Sequence, residues 1–173
     1  MPRPGDQSSH ELAERVVFEL TRRGMTIAVA ESLTGGLVVA ELVSVPGASA
    51  VVRGGVVAYA TQLKSTLLGV DSELLAAKGA IDPEVARQMA DGVRWHLGHD
   101  GVPADIGLAT TGVAGPEQQD GHPVGEVWLG LAIEGRVSAH GLTIGGDRAS
   151  IRAATVSESL MYLLEHLPDR STE

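Results

Sequence analysis

Three short apolar runs, each emptying into a polar or glycine-rich stretch, constrain this chain most. They are Met25 to Ala30, Val51 to Ala60 (interrupted by Gly54-Gly55) and Ala104 to Thr110. The first and third, rich in Val, Ile and Ala and lacking polar alternation, read as buried strands, and the second reads as a further strand. Segments with helical spacing lie between them. Ser9 is expected to cap a helix over 10–23, with Leu12, Val16, Val17 and Leu20 near one face and Gly24 as the stop. A helix over 34–43 is ended by Pro46-Gly47, and short helical turns cover 62–68 and 72–78. Asp82 before Pro83 opens a helix that runs to about Leu97. Glu126–Ile133 and Val137–Ile144 read as a hairpin across Glu134-Gly135-Arg136. Asp147 caps a final helix to about Leu167. Helices alternating with apolar strands, broken by one hairpin, predict an α/β fold: a three-layer α/β/α sandwich over a mixed sheet. A single domain is expected over 10–167, with loose ends at 1–9 and 168–173.

Composition narrows the function. The 173 residues include no cysteine, which excludes disulfides, thiolate metal sites and a cysteine nucleophile. The net charge of −9 has the wrong sign for a nucleic-acid partner, apart from the small Arg22-Arg23 and Arg148/Arg152 pairs. Aromatic residues make up only 3%, too few for a stacking platform. No apolar run approaches the roughly 20 residues of a membrane helix, so no membrane association is expected. Met1-Pro2-Arg3-Pro4-Gly5 does not resemble a secretion signal, and a cytoplasmic location is expected. The 22 glycines suggest tight turns, or loops where backbone approaches a ligand.

Chemistry is expected where buried strands end. Ala30-Glu31-Ser32-Leu33-Thr34-Gly35-Gly36 joins the first strand to a helix. Its helix-start amides suit an anion or a developing oxyanion, with Gly35 and Gly36 allowing close approach. Ser32 reads either as a nucleophile or, like Thr34, as an ordinary helix cap. A serine nucleophile needs a base. Of the six histidines only His122, in the loop 111–124, is suitably placed; His96 and His99 would need a third ligand to hold a metal. A lysine serves if burial lowers its pKa. The chain has two, Lys64 and Lys78. If the first two strands are parallel neighbours, Ser32 and Lys64 meet at their carboxyl ends; otherwise Lys64 is an exposed helix residue. Tyr59 ends the second strand as a substrate wall or a plain half-buried aromatic. Thr110-Thr111-Gly112-Val113-Ala114-Gly115-Pro116 offers loop amides, with the Thr111 hydroxyl positioned to orient Lys64 or substrate. Ser49 follows a Pro-Gly turn, and Arg148 opens the last helix as a phosphate ligand or a surface ion pair.

These segments together resemble one family. Ala30–Gly36, Val45-Pro46-Gly47-Ala48-Ser49, Arg53–Tyr59 with Lys64 and Leu68-Gly69-Val70, Thr111–Pro116, Pro123-Val124-Gly125 and Gly146-Asp147-Arg148 follow the order of the CinA C-terminal domain family, which includes nicotinamide-nucleotide amidases. The resemblance covers Leu12 to Leu167. It implies the three-layer fold, a homo-oligomer, and an amidase that uses no metal or cofactor. The implied reaction converts nicotinamide mononucleotide to nicotinate mononucleotide and ammonia. By motif match Ser32 is the nucleophile and Lys64 its base, with Tyr59 and Thr111 at the catalytic centre. Thr34, Gly35, Gly36, Ser49, Gly112, Gly115 and Arg148 would bind the small-molecule nucleotide. The chain departs from the family at Leu33, where the family often has Cys, and at the polar stretch 117–122, usually glycine-rich. The N-terminal domain that accompanies the family in many proteins has no counterpart in this sequence. Other readings are an amidase for a different carboxamide and a nucleotide-binding module without turnover.

Overall fold

The computed structural model describes residues 7–133 and 135–168. Most of the expected loose ends, and Glu134 of the hairpin turn, lie outside the described residues. Five strands form one sheet in the order β2-β1-β3-β4-β5, from β1 (Ile27–Glu31), β2 (Val52–Val57), β3 (Ile106–Gly112), β4 (Glu126–Ile133) and β5 (Arg136–Thr143). β2, β1 and β3 are parallel, whereas β3–β4 and β4–β5 are antiparallel, so the sheet is mixed. Among the described residues six α-helices flank it: α1 (Ser9–Arg23), α2 (Leu37–Val43), α3 (Thr61–Leu68), α4 (Ser72–Lys78), α5 (Pro83–His96) and α6 (Arg148–His166). The expected three-layer α/β/α sandwich is the observed fold.

The strand period of two sorts the core into two layers. Ile27, Val29, Ile106, Leu108, Leu129 and Leu131 pack against α1, α2 and α6. Ala28, Ala30, Ala109 and Ala132 face α3, α4 and α5. The second face is small for a physical reason. A Cβ on Gly107 would stand 1.8 Å from the Ala90 carbonyl, and one on Gly130 would stand 2.0 Å from the Ala86 carbonyl. The backbone of α5 therefore rests directly on the sheet. Some of the glycine abundance seats a helix rather than a ligand.

Boundaries differ from expectation in several places: β1 and β3 each begin two residues late and run on to Glu31 and Gly112, and β5 lies one residue early. Ser8, not Ser9, caps α1: its hydroxyl accepts from the Glu11 N–H, and the Glu11 carboxylate accepts from the Ser8 N–H. The α1 stop is Gly24 in the left-handed region, as expected. β2 ends at Val57, so Ala58 to Ala60 form a connection to α3. Gly54-Gly55 does not break the strand; its pairing slips by one residue at Arg53. Finally, α2 begins at Leu37 rather than Thr34, for a reason that lies in the site itself.

Candidate active site

The carboxyl ends of β1, β2 and β3 meet at one edge of the sheet. On β1 the side chains alternate, so Glu31 follows Ile27 and Val29 toward α2, while the next residue, Ser32, turns to the α3 side. Glu31 is fully buried. Its carboxylate accepts the amides of Gly36 (3.0 Å), Val38 (3.0 Å) and Val39 (2.9 Å). This side chain, reaching forward from the strand, caps α2 in place of Ser32 or Thr34, and Gly36 at the helix start supplies no side chain of its own. The turn between them is closed by Gly35 N–H donating to the Ser32 carbonyl at 3.1 Å.

Ser32 is nearly buried, and its N–H donates to the Thr110 carbonyl on β3 at 3.0 Å. Lys64 lies one turn inside α3, fully buried. Its Nζ donates to Ser32 Oγ at 3.1 Å and to the Ala58 carbonyl at 2.8 Å. The parallel pairing of β1 and β2 brings the two residues together across 32 positions of sequence. Burial pushes the Lys64 ammonium down from its ordinary 10.5 to about 8. An amine so poised is neutral in part at physiological pH and is within reach of a hydroxyl proton.

Beside the pair opens a cavity of about 280 Å³. Tyr59, Thr111, Gly112, Gly115 and Arg148 all border it, as do Leu33 and Ala114. Glu117 and Gln119, from the polar stretch noted above, form part of its lip. Arg148, the first residue of α6, donates to the Gly115 carbonyl at 2.7 Å and to the Tyr59 hydroxyl at 3.0 Å, tying the two walls of the mouth. Thr111 does not orient Lys64: its hydroxyl donates to the Ala80 carbonyl at 2.7 Å. Gly112 is required by packing as well as placement, since a Cβ there would lie 2.5 Å from the Glu126 carbonyl. Among the described residues, the Leu33 and Ala114 N–H groups have no protein acceptor.

Several expected site residues are not brought to the cavity. Thr34 is fully buried, its hydroxyl bonded to that of Thr110 at 2.7 Å. The amides of Gly35 and Gly36 are taken by the Ser32 carbonyl and the Glu31 carboxylate. The start of α2 is thus already occupied by an anion of the protein, and no ligand anion fits there. Ser49 is exposed on the turn Ala48–Ala50 that leads into β2. That turn is at the opposite end of the parallel strand from Ser32, a strand length away. His122 bonds through Nδ1 to Glu126 at 3.0 Å and does not border the cavity. His96 Nδ1 bonds to the Gly92 carbonyl, and among the described residues no group of three His, Asp or Glu side chains is arranged to hold a metal ion.

Two contributing residues carry little sign of their role in the sequence. Glu31 belongs to the strand-end motif, but its forward reach to α2 is a tertiary fact. Arg152 reads only as part of a basic pair. It donates to the Leu33 carbonyl at 2.9 Å and the Thr34 carbonyl at 3.1 Å, pinning the turn after Ser32 from α6. Its spacing of four from Arg148 places both on one helix face, the one available signal.

The family model of the CinA C-terminal domain matches residues 9–167. The chain belongs to this family. It is 50% identical over 141 residues to a CinA-like protein of Frankia casuarinae, covering 82% of the chain and 31% of that protein. To a CinA-like protein of Dictyoglomus thermophilum it is 42% identical over 153 residues, 88% of the chain and 36% of that protein. The chain therefore spans about a third of the length of these relatives. A competence/damage inducible protein of Agrobacterium tumefaciens superposes with a TM-score of 0.84 at 36% identity, covering 95% of this chain and 96% of that one. A competence damage-inducible protein A of Klebsiella pneumoniae superposes with a TM-score of 0.88 at 32% identity, covering 95% of this chain and 100% of that one. Among the described residues no helix is long and apolar enough to cross a membrane.

Proposed function

We propose that the chain is a serine amidase of the nicotinamide-nucleotide type, with Ser32 as nucleophile and Lys64 as general base. One observation carries the reading: the buried Lys64 Nζ stands 3.1 Å from Ser32 Oγ at the wall of a cavity. The substrate, nicotinamide mononucleotide, follows from the family resemblance.

The neutral Lys64 amine takes the proton of Ser32 as Oγ bonds to the carboxamide carbon. The carbonyl π pair moves to oxygen, where the unengaged Leu33 and Ala114 amides can receive the negative charge. The intermediate collapses, the C–N bond breaks, and Lys64 returns its proton to the departing nitrogen, releasing ammonia. Water then attacks the acyl-enzyme and gives a proton to Lys64. Breaking the C–O bond restores Ser32, to which Lys64 returns that proton, and leaves the carboxylic acid. The Ala58 carbonyl orients the amine throughout. With the α2 start occupied, the guanidinium of Arg148 at the mouth is the group that suits the substrate phosphate. Tyr59 walls the entrance beside it.

The test is ammonia release from nicotinamide mononucleotide by chelator-treated protein, with Ser32→Ala alongside. Ammonia from the wild type alone is the expected result. Equal release by a folded Ser32→Ala protein would overturn the nucleophile assignment. Nucleotide binding without ammonia from the wild type would favour a binding module. Ammonia from another carboxamide but not from this nucleotide would keep the chemistry and change the substrate.

A further inference from the structure

We infer that Glu31 is a positioning residue for the Ser32–Lys64 pair, acting through the three amides it holds and the backbone it anchors. Both of its carboxylate oxygens are used, on Gly36, Val38 and Val39, in a site without exposure to solvent. Bonds to an ionised acceptor are stronger than neutral ones. They fix where α2 starts, and so where the turn leaving Ser32 must end. Glu31 also acts in the other direction: its own carbonyl accepts the Ala58 N–H at 2.9 Å, and the Ala58 carbonyl accepts Lys64 Nζ. One residue thus holds the segment carrying the nucleophile and the segment orienting its base. A helix cap needed only for stability would not have to sit next to the nucleophile or to share backbone with the anchor of the amine.

The kinetic part of this inference rests on the amidase reading; the titration of Lys64 does not. Glu31→Gln keeps the size of the side chain and turns one acceptor into a donor facing amides. Its kcat is expected to fall about 100-fold, as for a misplacement of about 1 Å, with KM changed less than about threefold. The chain has only two lysines, so the 13Cε signal of Lys64 can be followed directly by NMR. Its midpoint, about 8 in the wild type, should rise toward the ordinary lysine range as water reaches the loosened amine. If Glu31→Gln does not fold, Glu31→Asp retains the charge, withdraws it by one methylene, and should shift both readouts in the same direction. Asp105→Asn is the control for lost stability. Asp105 binds the Thr26 N–H and hydroxyl at the far end of β1, so its loss should leave kcat and the Lys64 midpoint unchanged. A folded Glu31 variant with wild-type kcat and midpoint overturns the inference. So does a loss of kcat no greater than that of Asp105→Asn. If the wild type releases no ammonia, the amidase reading fails and the midpoint alone decides: a rise upholds the positioning role and an unmoved midpoint refutes it.

Discussion

Replacing Lys64 by methionine separates what the residue does for catalysis from what it costs the fold. Methionine matches the length of the aliphatic stem and carries no charge. Burial holds the Lys64 pKa at about 8 against the ordinary 10.5. A gap of about 2.5 units is about 3 kcal/mol at about 1.36 kcal/mol per unit. For a depressed lysine the unfolded chain binds the proton more tightly. Below pH 8 both states are charged and the whole cost is present. Between 8 and 10.5 the unfolded state keeps a proton that the folded state has released, so wild-type stability rises with pH relative to a chain without this group. Above 10.5 the cost is gone. Lys64→Met removes the cost and forfeits the bonds to Ser32 Oγ and the Ala58 carbonyl. The forfeited bonds set the offset between the two proteins and the titration sets its slope, so the stability of the variant relative to wild type should fall by about 3 kcal/mol from pH 7 to above pH 10.5. Urea unfolding of both proteins at intervals over this range reads the difference directly, since all other titrations cancel. A difference that stays constant with pH, or that moves in the variant's favour as pH rises, would refute the reasoning. The same variant should lose about 10²–10⁴-fold in turnover, the usual contribution of a general base.

Other consequences concern different parts of the molecule. The kcat/KM of the wild type should rise with pH through a midpoint near 8, because the active base is neutral Lys64; a profile flat from pH 6 to 9 would exclude it. Arg148→Ala removes the ties to Gly115 and Tyr59 and the cation at the mouth. It should raise KM for the phosphorylated substrate about tenfold, in line with a lost charge-assisted contact, and leave KM for the unphosphorylated nucleoside nearly unchanged. Gly107→Ala forces a methyl to 1.8 Å from the Ala90 carbonyl. Thermal unfolding should show a loss of about 3 kcal/mol or more, or no folded protein.

Much of this arrangement could be read before any coordinates. Continuous apolar runs marked β1 and β3, Asp82-Pro83 marked the start of α5, and the hairpin was legible as two strand runs flanking Glu134-Gly135-Arg136. The assumption that β1 and β2 run parallel and adjacent was enough to bring Lys64 to Ser32. What failed did so for tertiary reasons. Ser32 and Thr34 looked like caps of α2, yet strand alternation turns Ser32 away from that helix and leaves Glu31 to cap it. The amides of Gly35 and Gly36 looked free because their acceptors, a neighbouring carbonyl and a carboxylate five residues back, are set by the turn's geometry. Ser49 stood in a matching motif but precedes its strand, and a residue before a parallel strand cannot reach the site beyond its end. Gly107 and Gly130 gave no local sign that they accommodate the backbone of α5.

The most direct test of the Ser32–Lys64 account is partition of the acyl-enzyme. Expelling ammonia from an amide is the harder half of the reaction, so acylation of Ser32 should limit turnover. With hydroxylamine added, wild-type protein acting on nicotinamide mononucleotide should yield hydroxamate at the expense of acid, while the rate of ammonia release stays constant. Ser32→Ala should give neither product. Ammonia release that climbs in proportion to hydroxylamine, or hydroxamate formed by Ser32→Ala, would mean direct attack on the carboxamide and would contradict a serine nucleophile.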